Sequence, residues 1–399
     1  MKLGFIKQGS IKLPFVKTGL GLLLALTLTG CGSLPEPKYP PKALKSIDEK
    51  VDLTVEWKDF AAKGAGEQGY MLSPIIAGDN LYAIDREGNL SAWNKEDGRF
   101  LWESSLQEGI SSGLAFANDQ LFVGTQNGEL VSMSAQGGER LWRTRLSTEV
   151  LAAPQINAHN NQVIVQTGDG RVSALDIKTG RVKWSFTSPE PLLTLHGTAK
   201  PKVLPGVTFT GFANGRMVAL DNRNGQMQWD TRVALPSGRT DIERLVDVDA
   251  QPLISSHGML VSTSFQGRIM AMDPRSGRAL WERKDSSYHS AVEGDGNLLY
   301  VDEASRLIAV DHRSGSVLWN QDALEGRRLT APVIWQGMAV VADYEGYVHL
   351  VSARTGDLIG RIQADASGVE QPLIVSGDKL YITAVNGRVV ALSQEAIDD

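Results

Sequence analysis

Polar and apolar residues alternate along most of the chain, and this period of two predicts short β-strands. The clearest stretch runs from Arg171 to Asp176, where polar positions are followed by apolar ones. The residues that come next, Asp-Ile-Lys-Thr-Gly, are of types that favour a tight turn. A second short stretch then ends on Trp184. The pattern therefore predicts a β-hairpin whose second strand ends on a large aromatic residue.

The predicted hairpin recurs along the chain with a constant internal spacing. A glycine is followed ten residues later by a second glycine and fourteen residues later by a tryptophan. Five copies keep all three residues: Gly88/Gly98/Trp102, Gly128/Gly138/Trp142, Gly170/Gly180/Trp184, Gly215/Gly225/Trp229 and Gly267/Gly277/Trp281. Two more copies carry one substitution each, Ser305/Gly315/Trp319 and Gly346/Gly356/Gly360, and Gly387 opens an eighth. Eight copies in register predict one repeat array.

Each full repeat also has an upstream half, so that one repeat contains four short strands. A proline recurs before the first strand, where an N–H that faces a central channel need not be paired: Pro154, Pro201, Pro252, Pro332 and Pro372. Four strands every 38 to 52 residues, without helical periodicity, predict an all-β fold. We expect an eight-bladed β-propeller of four-stranded antiparallel blades, formed by residues 51–399.

The eighth repeat lacks an outer strand, and the N-terminal part of the chain offers one. The stretch from Val51 to Trp57 alternates like a strand and ends on a tryptophan, as the repeats do. We therefore expect this N-terminal strand to complete the last blade and close the ring, which removes the two free ends of a linear array.

The repeated tryptophans have a structural and a ligand-binding interpretation. Ligand stacking is the alternative, but a position shared by every repeat favours docking between neighbouring blades, with each indole N–H bonded to the backbone of the adjacent turn. The predicted docking residues are Trp57, Trp102, Trp142, Trp184, Trp229, Trp281 and Trp319. Gly360 lacks the ring, so the joint between blades 7 and 8 is expected to be looser or differently filled.

Residues 1–30 have the pattern of a signal peptide, with four lysines before a short apolar run. The four residues from Leu28 to Cys31 resemble a bacterial lipobox, which implies that Cys31 becomes acylated and anchors the chain to a membrane. A plain secretory signal with an incidental cysteine is the alternative. Gly32 after the cysteine implies the outer membrane, and residues 31–50, rich in proline, are expected to form a flexible tether.

Composition excludes several classes of function. The net charge is −6 and no basic run occurs in the body of the chain, so nucleic acid is not expected as a partner. A single cysteine rules out a disulfide framework and a cysteine metal site. The six histidines include no pair at metal-ligand spacing, so no metal site is predicted.

Two consecutive connections between repeats are much longer than the others, and both are predicted to lie on one face. The first contains three leucines, Leu192, Leu193 and Leu195, in a proline-bounded loop. The second contains the charged residues Arg239, Arg244, Asp247 and Asp249. Exposed leucines with a charged surround predict a surface that binds a partner. The alternative is that the leucines fold onto the blade and the loop is merely long.

The hairpin from Ala174 to Trp184 resembles the tryptophan docking motif of eight-bladed quinoprotein propellers, which occur in PQQ-dependent dehydrogenases and in BamB lipoproteins. The adjacent cysteine pair of the dehydrogenases is missing here, and no calcium-binding cluster of acids and amides is evident. The resemblance to the BamB family covers the whole length. The family's Leu-x-Leu-Arg-Gly is matched by Leu193-Thr-Leu195-His196-Gly197, with histidine in place of arginine, and its Arg-Leu-x-Asp-Val-Asp by Arg244-Leu-Val-Asp247-Val-Asp249.

This resemblance implies a non-enzymatic scaffold lipoprotein, without a cofactor, on the periplasmic face of the outer membrane. It implies that Leu193, Leu195, His196, Arg244, Asp247 and Asp249 contact the periplasmic POTRA region of BamA. Other subunits of the β-barrel assembly (BAM) complex and unfolded outer-membrane proteins are further expected partners. Two other functions stay open from the sequence: a PQQ-dependent quinoprotein dehydrogenase, and a propeller that binds a small molecule or glycan in its channel.

Overall fold

Thirty-two β-strands in eight four-stranded sheets make up the part of the chain that the structure describes. The structure is a computed structural model, and it describes residues 37–61, 63, 70–191, 193–194, 197–240 and 242–397. The signal peptide expected over residues 1–30 and the lipidation residue Cys31 lie outside these ranges. Among the described residues no helix is long and apolar enough to cross a membrane.

The first four blades follow one another in chain order, each from its innermost to its outermost strand. Blade 1 contains β2 (Ile75–Ala77), β3 (Asn80–Ile84), β4 (Asn89–Asn94) and β5 (Phe100–Ser105). Blade 2 contains β6 (Ala115–Ala117), β7 (Gln120–Gly124), β8 (Glu129–Ser134) and β9 (Arg140–Arg145). Blade 3 contains β10 (Gln155–Asn157), β11 (Gln162–Thr167), β12 (Arg171–Asp176) and β13 (Val182–Thr187). Blade 4 contains β14 (Lys202–Leu204), β15 (Val207–Gly211), β16 (Arg216–Asp221) and β17 (Met227–Arg232).

The remaining blades repeat this order, except that the last one takes its outer strand from the N-terminal part of the chain. Blade 5 contains β18 (Leu253–Ile254), β19 (Leu260–Ser262), β20 (Arg268–Met272) and β21 (Ala279–Lys284). Blade 6 contains β22 (Val292–Gly294), β23 (Asn297–Val301), β24 (Leu307–Val310) and β25 (Val317–Gln321). Blade 7 contains β26 (Val333–Trp335), β27 (Met338–Ala342), β28 (Tyr347–Ser352) and β29 (Leu358–Gln363). Blade 8 contains β30 (Ile374–Ser376), β31 (Lys379–Thr383), β32 (Arg388–Ala396) and β1 (Val51–Phe60).

The hydrophobic core lies between the blades. The second and third strands of most blades are almost wholly buried, because neighbouring blades cover both of their faces, whereas the outer strands alternate between exposed and partly buried residues. The described residues form eight apolar clusters, and each cluster joins the facing strands of two successive blades. The prediction of eight four-stranded antiparallel blades is confirmed.

Strand β1 closes the ring by pairing with β32. The two strands are antiparallel, from Val51 opposite Ala396 to Phe60 opposite Arg388, with a bulge between Val55 and Trp57. The predicted N-terminal closing strand is therefore confirmed, and it extends three residues beyond Trp57. Because β1 bonds to the last strand of the chain, no linear array with two free ends remains.

The two faces of the ring carry different connections. In blade 3, Arg171 at the start of β12 lies opposite Thr187 at the end of β13, so both the turn before β12 and the connection after β13 lie at one end of the blade. The same register recurs in the other blades. We call this side, which carries the turns between second and third strands and the connections between blades, the loop face. The other side carries the hairpin turns between first and second strands and between third and outer strands.

The repeated tryptophans link each blade to the next. Six indole N–H groups donate to backbone oxygens of the following blade at 2.8–3.2 Å: Trp57 to Lys95, Trp142 to Ile177, Trp184 to Asn222, Trp229 to Pro274, Trp281 to His312 and Trp319 to Ala353. The second glycine of the sequence spacing lies under the preceding ring, so that a Cβ at Gly138 would be 3.0 Å from Trp102 and one at Gly225 2.5 Å from Trp184. Each blade of this type thus supplies a glycine to the preceding ring and a tryptophan to the next glycine, so both residues recur at fixed positions in the repeat.

The joint between blades 7 and 8 is filled without a tryptophan. In the other blades of this type a small residue, alanine or serine, lies across from the ring. Gly360 instead lies opposite Leu350, and a Cβ on Gly360 would be 2.8 Å from the carbonyl oxygen of Val51. Blade 8 has no turn between its third and outer strands, since β32 and β1 are distant in sequence. A ring at position 360 would therefore have no such turn to contact.

Part of the segment expected to be a flexible tether is packed on the propeller. The sequence predicts a tether over residues 31–50, but residues 39–50 lie along blades 6 and 7. Lys42 N–H donates to the Glu325 carbonyl at 2.9 Å, and Lys50 N–H donates to the Ile359 carbonyl at 2.8 Å. The tether interpretation is therefore wrong for residues 39–50, because backbone hydrogen bonds fix both ends of this stretch.

Candidate partner-binding surface

Two long connections, 188–201 between blades 3 and 4 and 233–252 between blades 4 and 5, are neighbours on the loop face. We call them long loop 1 and long loop 2. They touch each other at Asp249: the Lys200 N–H donates to the Asp249 carbonyl at 3.4 Å, and a Cβ on Gly197 would overlap the Asp249 carboxyl group. The sequence-based prediction of two adjacent loops thus corresponds to one continuous surface.

Long loop 1 is fixed at its start by the turns below it. The Ser188 N–H donates to the Gly170 carbonyl at 2.9 Å, and the Asn214 side chain donates to Ser188 Oγ at 2.9 Å and to the Pro189 carbonyl at 2.8 Å. Beyond this anchor Leu193 is 48% exposed. The other predicted contact residues of this loop, Leu195 and His196, and the third leucine, Leu192, lie outside the described residues.

The first half of long loop 2 forms one helical turn with a capping box. Thr240 Oγ1 accepts the Glu243 N–H at 3.2 Å, and Glu243 Oε2 accepts the Thr240 N–H at 3.3 Å. The turn continues with the Arg244 N–H, which donates to the Thr240 carbonyl at 3.1 Å. Arg244 is exposed, as expected, and Ile242 beside it is 70% exposed. The reciprocal hydrogen bonds hold these side chains outward.

The second half of long loop 2 turns inward, which changes the role of one predicted residue. Asp247 exchanges backbone hydrogen bonds with Phe265 in blade 5, and Val246 and Val248 on either side are buried. The sequence predicts Asp247 as part of a charged rim, but its side chain is only 2% exposed. The bridge to Phe265 and the burial of both valines draw this stretch into the propeller, so Asp247 lies beneath the surface that surrounds the leucines, and its contact with a partner stays a prediction.

Three carboxyl groups lie together at the base of the two loops. Burial, with a smaller contribution from the charge of Asp249, raises the pKa of Glu190 to about 7. Burial and the Asp249 carboxylate also raise the pKa of Asp247 far above its ordinary range, and burial raises the pKa of Asp249. The charge of Asp249 contributes to the raised pKa of Asp247, so ionisation of one of these two carboxyl groups opposes ionisation of the other.

The cluster consists of buried carboxyl groups that hold their protons more tightly than exposed carboxyl groups do. Within the described residues, no group of three His, Cys, Asp or Glu side chains has a geometry that could hold a metal ion. Asp247 Oδ2 and Glu190 Oε2 are buried and accept no hydrogen bond from a donor in those residues. Because these enclosed oxygens lack a donor, ionisation of the two carboxyl groups is unfavourable, which is consistent with their raised pKa values.

Sequence reasoning missed several residues of this surface. Glu190 lies close to Asp247 and Asp249 although it belongs to the other long loop. In the sequence, the one feature that pointed to Glu190 was its position in the same connection as the leucines. Leu235 is 47% exposed and Tyr288, from the connection after blade 5, is 50% exposed. Tyr288 stacks on Phe265, with ring centroids 4.8 Å apart. The apolar part of the loop face is thus wider than the leucine-rich loop.

Comparisons with known proteins agree with this architecture and identify the family. The sequence model of a family described as "Outer membrane protein assembly factor BamB" matches residues 86–321 and 304–396. The chain is 38% identical to an outer membrane protein assembly factor BamB from Pseudomonas aeruginosa over 370 residues, which covers 93% of this chain and 97% of that protein. It is 40% identical to BamB from Vibrio cholerae over 375 residues, which covers 93% and 96%.

Solved structures show the same fold. BamB from Moraxella catarrhalis superposes with a TM-score of 0.77 at 26% identity, over 86% of this chain and 99% of that one. A quinohemoprotein alcohol dehydrogenase from Comamonas testosteroni superposes with a TM-score of 0.65 at 12% identity, over 87% and 78%, a likeness of fold alone. From the family match and the identities over nearly the full length, the chain belongs to the BamB family of outer membrane protein assembly factors.

Proposed function

We propose that this chain is a non-enzymatic scaffold of the outer-membrane β-barrel assembly complex, and that it binds the periplasmic POTRA region of BamA through the two long loops. The observation that supports this most is the pairing of exposed apolar side chains with a cluster of carboxyl groups on loops that are held in place. Leu193 and Ile242 supply apolar contact area, and Asp247 and Asp249 lie at the base of the same surface.

The fixed loops favour binding because little order has to be gained. Ser188 and Asn214 anchor long loop 1, and the capping box between Thr240 and Glu243 shapes long loop 2. Ordering a rotamer-rich side chain at an interface costs roughly 0.5–1.5 kcal/mol, so loops that are already hydrogen-bonded lose less on association. The propeller thus presents its contact residues in the arrangement in which they bind.

The carboxyl cluster favours a partner that carries a positive charge at the matching position. An arginine or lysine near Asp249 would bring down the pKa values that burial raises, and proton release from Glu190 would accompany binding below about pH 7, where the unbound protein still holds that proton. The family pattern has an arginine where this chain has His196, so His196→Arg is expected to change the charge balance of the surface at neutral pH.

The same proposal places the protein on the periplasmic face of the outer membrane, held by acyl chains on Cys31 that follow removal of residues 1–30. In that position it would help unfolded outer-membrane proteins to reach BamA and contact other subunits of the complex. Membership in a family of assembly factors supports this assignment over a quinoprotein oxidation, for which the dehydrogenase likeness shows only a shared fold.

The test is capture of the POTRA domains of BamA by the full-length protein, measured as a dissociation constant. Leu193→Asp is the main variant, and Leu141→Asp on β9 is its matched control, since the two leucines are 48% and 50% exposed. Losing a buried leucine contact costs about 1.5–3 kcal/mol, so Leu193→Asp is expected to weaken capture at least about tenfold. Equal weakening by both variants, with unchanged melting temperatures, would count against the loop surface.

Charge at the surface is tested separately. Asp249→Asn removes one negative charge and keeps the shape of the side chain, so we expect weaker capture and a smaller dependence of the dissociation constant on salt. No capture of BamA by the unmodified protein at any salt concentration would refute the partner assignment as a whole.

A further inference from the structure

The stretch of residues 39–50, which we call the strap, crosses the outside of the propeller from one face to the other. Its first part is held at the loop face, where the Tyr39 hydroxyl donates to Glu303 Oε1 at 2.9 Å and Lys42 Nζ lies 3.0 Å from Glu325 Oε2 and 3.1 Å from Asp322 Oδ2. Its last part reaches the opposite face, where the Lys50 N–H donates to Ile359 at 2.8 Å. The strap then turns back as β1.

Two arginine side chains, one from the connection before blade 7 and one from blade 7, bind the backbone of the middle of the strap. Arg327 Nη1 donates to the Lys42 carbonyl at 3.2 Å, and Arg361 Nη1 donates to the Lys45 carbonyl at 2.9 Å. Leu44 packs against the apolar cluster between blades 6 and 7. Contacts to main-chain oxygens do not depend on the side chains of the strap, so they fix its path rather than one particular residue.

The arginine that holds the strap is itself fixed by a buried network. The Arg327 side chain is 3% exposed, and its Nε lies 2.7 Å from Asp343 Oδ2, which also lies 2.9 Å from His349 Nε2. Burial opposes ionisation of Asp343, but hydrogen bonds from His349 and Arg327 hold its pKa below the usual range. A guanidinium group held from behind in this way is pre-organised to accept the strap.

The turn beneath the strap has room for glycine only. Gly326 has φ = +76°, and a Cβ at this position would lie 2.5 Å from the carbonyl oxygen of Pro40. Gly337 lies in the turn between β26 and β27 of blade 7. Its φ is similar, +82°, but no atom lies within 4 Å of a Cβ placed there. Alanine at either glycine strains the backbone, but only Gly326→Ala also collides with the strap. Comparing the two variants therefore separates the two effects.

We propose that the docked strap sets the height and orientation of the propeller at the membrane, with the loop face towards the lipid surface. This inference rests on acylation of Cys31 in the proposed function. A free tether from Cys31 to β1 would span up to about 66–72 Å, at about 3.3–3.6 Å per residue. With the strap docked, the distance from Cys31 to Tyr39 cannot exceed about 26–29 Å, the span of the fully extended chain between them. The strap begins at the loop face beside blades 6 and 7, so the proposal holds that part of the face within this distance of the bilayer.

The experiment measures the heights of two dyes above a lipid surface, with the full-length lipidated protein in vesicles that carry an acceptor dye in their headgroups. Cys31 is the single cysteine and is blocked by its acyl group, so one introduced cysteine takes the dye. Ala366→Cys places it on the loop face of blade 7 and Thr355→Cys on the opposite face, on either side of the six residues of β29. Each protein is made with Gly326 intact, with Gly326→Ala and with the control Gly337→Ala.

We expect the dye at position 366 to lie closer to the membrane than the dye at 355, by a large part of the roughly 20 Å that six strand residues span. Gly326→Ala is expected to increase the heights of both dyes and to reduce the difference between these heights. It is also expected to speed tryptic cleavage after Lys42 and Lys45. The control Gly337→Ala is expected to leave both heights and the cleavage rate unchanged. Faster cleavage shows that the strap has been displaced. If Gly326→Ala leaves the cleavage rate unchanged, Leu44→Asp is used in its place to displace the strap, because it removes the apolar contact of Leu44.

Three results would overturn the proposal. Equal heights of the two dyes, or a lower dye at 355, would refute the orientation. A displaced strap, seen by cleavage, with unchanged heights would refute its role in setting them. Failure of the intact protein to bind vesicles would refute the lipid anchor and this inference together, while capture of BamA by the same protein would still stand.

Discussion

Glu190 offers a direct test of the carboxyl cluster, because one substitution removes its charge and keeps its shape. The pKa of Glu190 is raised from 4.5 to about 7, mainly by burial. This difference corresponds to about 3.4 kcal/mol for a fully buried group, and partial contact of the side chain with solvent reduces it to about 1–2 kcal/mol. Glu190→Gln should therefore recover about 1–2 kcal/mol of unfolding free energy where the carboxylate of the unmodified protein is ionised.

The sign of the effect depends on pH. The folded protein binds this proton more tightly than the unfolded chain, so the contribution of Glu190 to stability is fully present below about pH 4.5 and is lost as the pH rises through about 7. We expect Glu190→Gln to match the unmodified protein near pH 5 and to melt about 1–3 °C higher near pH 8.5, for a fold of this size. Thermal unfolding at several pH values measures the difference.

The matched control is Glu103→Gln, which removes an exposed carboxylate from β5 of blade 1 and changes the net charge by the same amount. The melting temperature of Glu103→Gln should not rise relative to that of the unmodified protein between pH 5 and pH 8.5. A stabilisation by Glu190→Gln that is equal at pH 5 and pH 8.5, or one that Glu103→Gln reproduces, would refute the argument that burial of Glu190 beside Asp249 raises its pKa.

Three further predictions concern the propeller itself and are measured by urea unfolding. Trp184→Ala is expected to cost about 3–5 kcal/mol because the buried ring is lost, whereas Trp184→Phe should cost only about 1–2 kcal/mol, since the ring stays and the indole hydrogen bond goes. Gly360→Trp is expected to destabilise the protein, by about 1–3 kcal/mol, because the Val51 backbone fills that space; a neutral or stabilising effect would show that the joint is loose. Arg327→Ala should cost about 3–5 kcal/mol, because it leaves Asp343 charged and buried with His349 as its main partner; a cost below about 1 kcal/mol would refute the network.

The fold could be predicted from the sequence because one physical contact recurs in each blade. A tryptophan stacks on a glycine of the next blade, as Trp184 does on Gly225, and each blade of this type carries both residue types at fixed positions of its outer hairpin, which makes the pattern visible in the sequence. The closing strand from Val51 was also visible, since its alternation matched the strand that the eighth repeat lacks. Repetition thus turns local patterns into evidence for the whole architecture.

The site was less predictable because burial in a loop depends on contacts that no local pattern shows. Arg244 and Asp247 are three residues apart in a charged stretch, yet one is exposed and the other is drawn inward by Phe265 of the next blade. Glu190 joins Asp247 through the packing of two loops that are distant in sequence. The strap was misread for the same reason: its prolines and lysines are typical of a linker, but Arg327 and the other groups that bind its backbone lie about 280 residues away.

The strap and the long loops place two constraints on the same face. The strap leaves the propeller at blades 6 and 7, while the contact surface spans blades 3 to 5, so a partner on the long loops does not displace the strap. Under the proposed acylation of Cys31, the lipid lies within about 26–29 Å of Tyr39, so the docked strap limits the height of the propeller. Binding in solution and binding at the membrane should therefore respond differently to Gly326→Ala: the dissociation constant in solution stays the same, whereas capture by the membrane-anchored protein changes because the height changes. Equal effects in both settings would show that the strap acts on the loops and not on the position of the propeller.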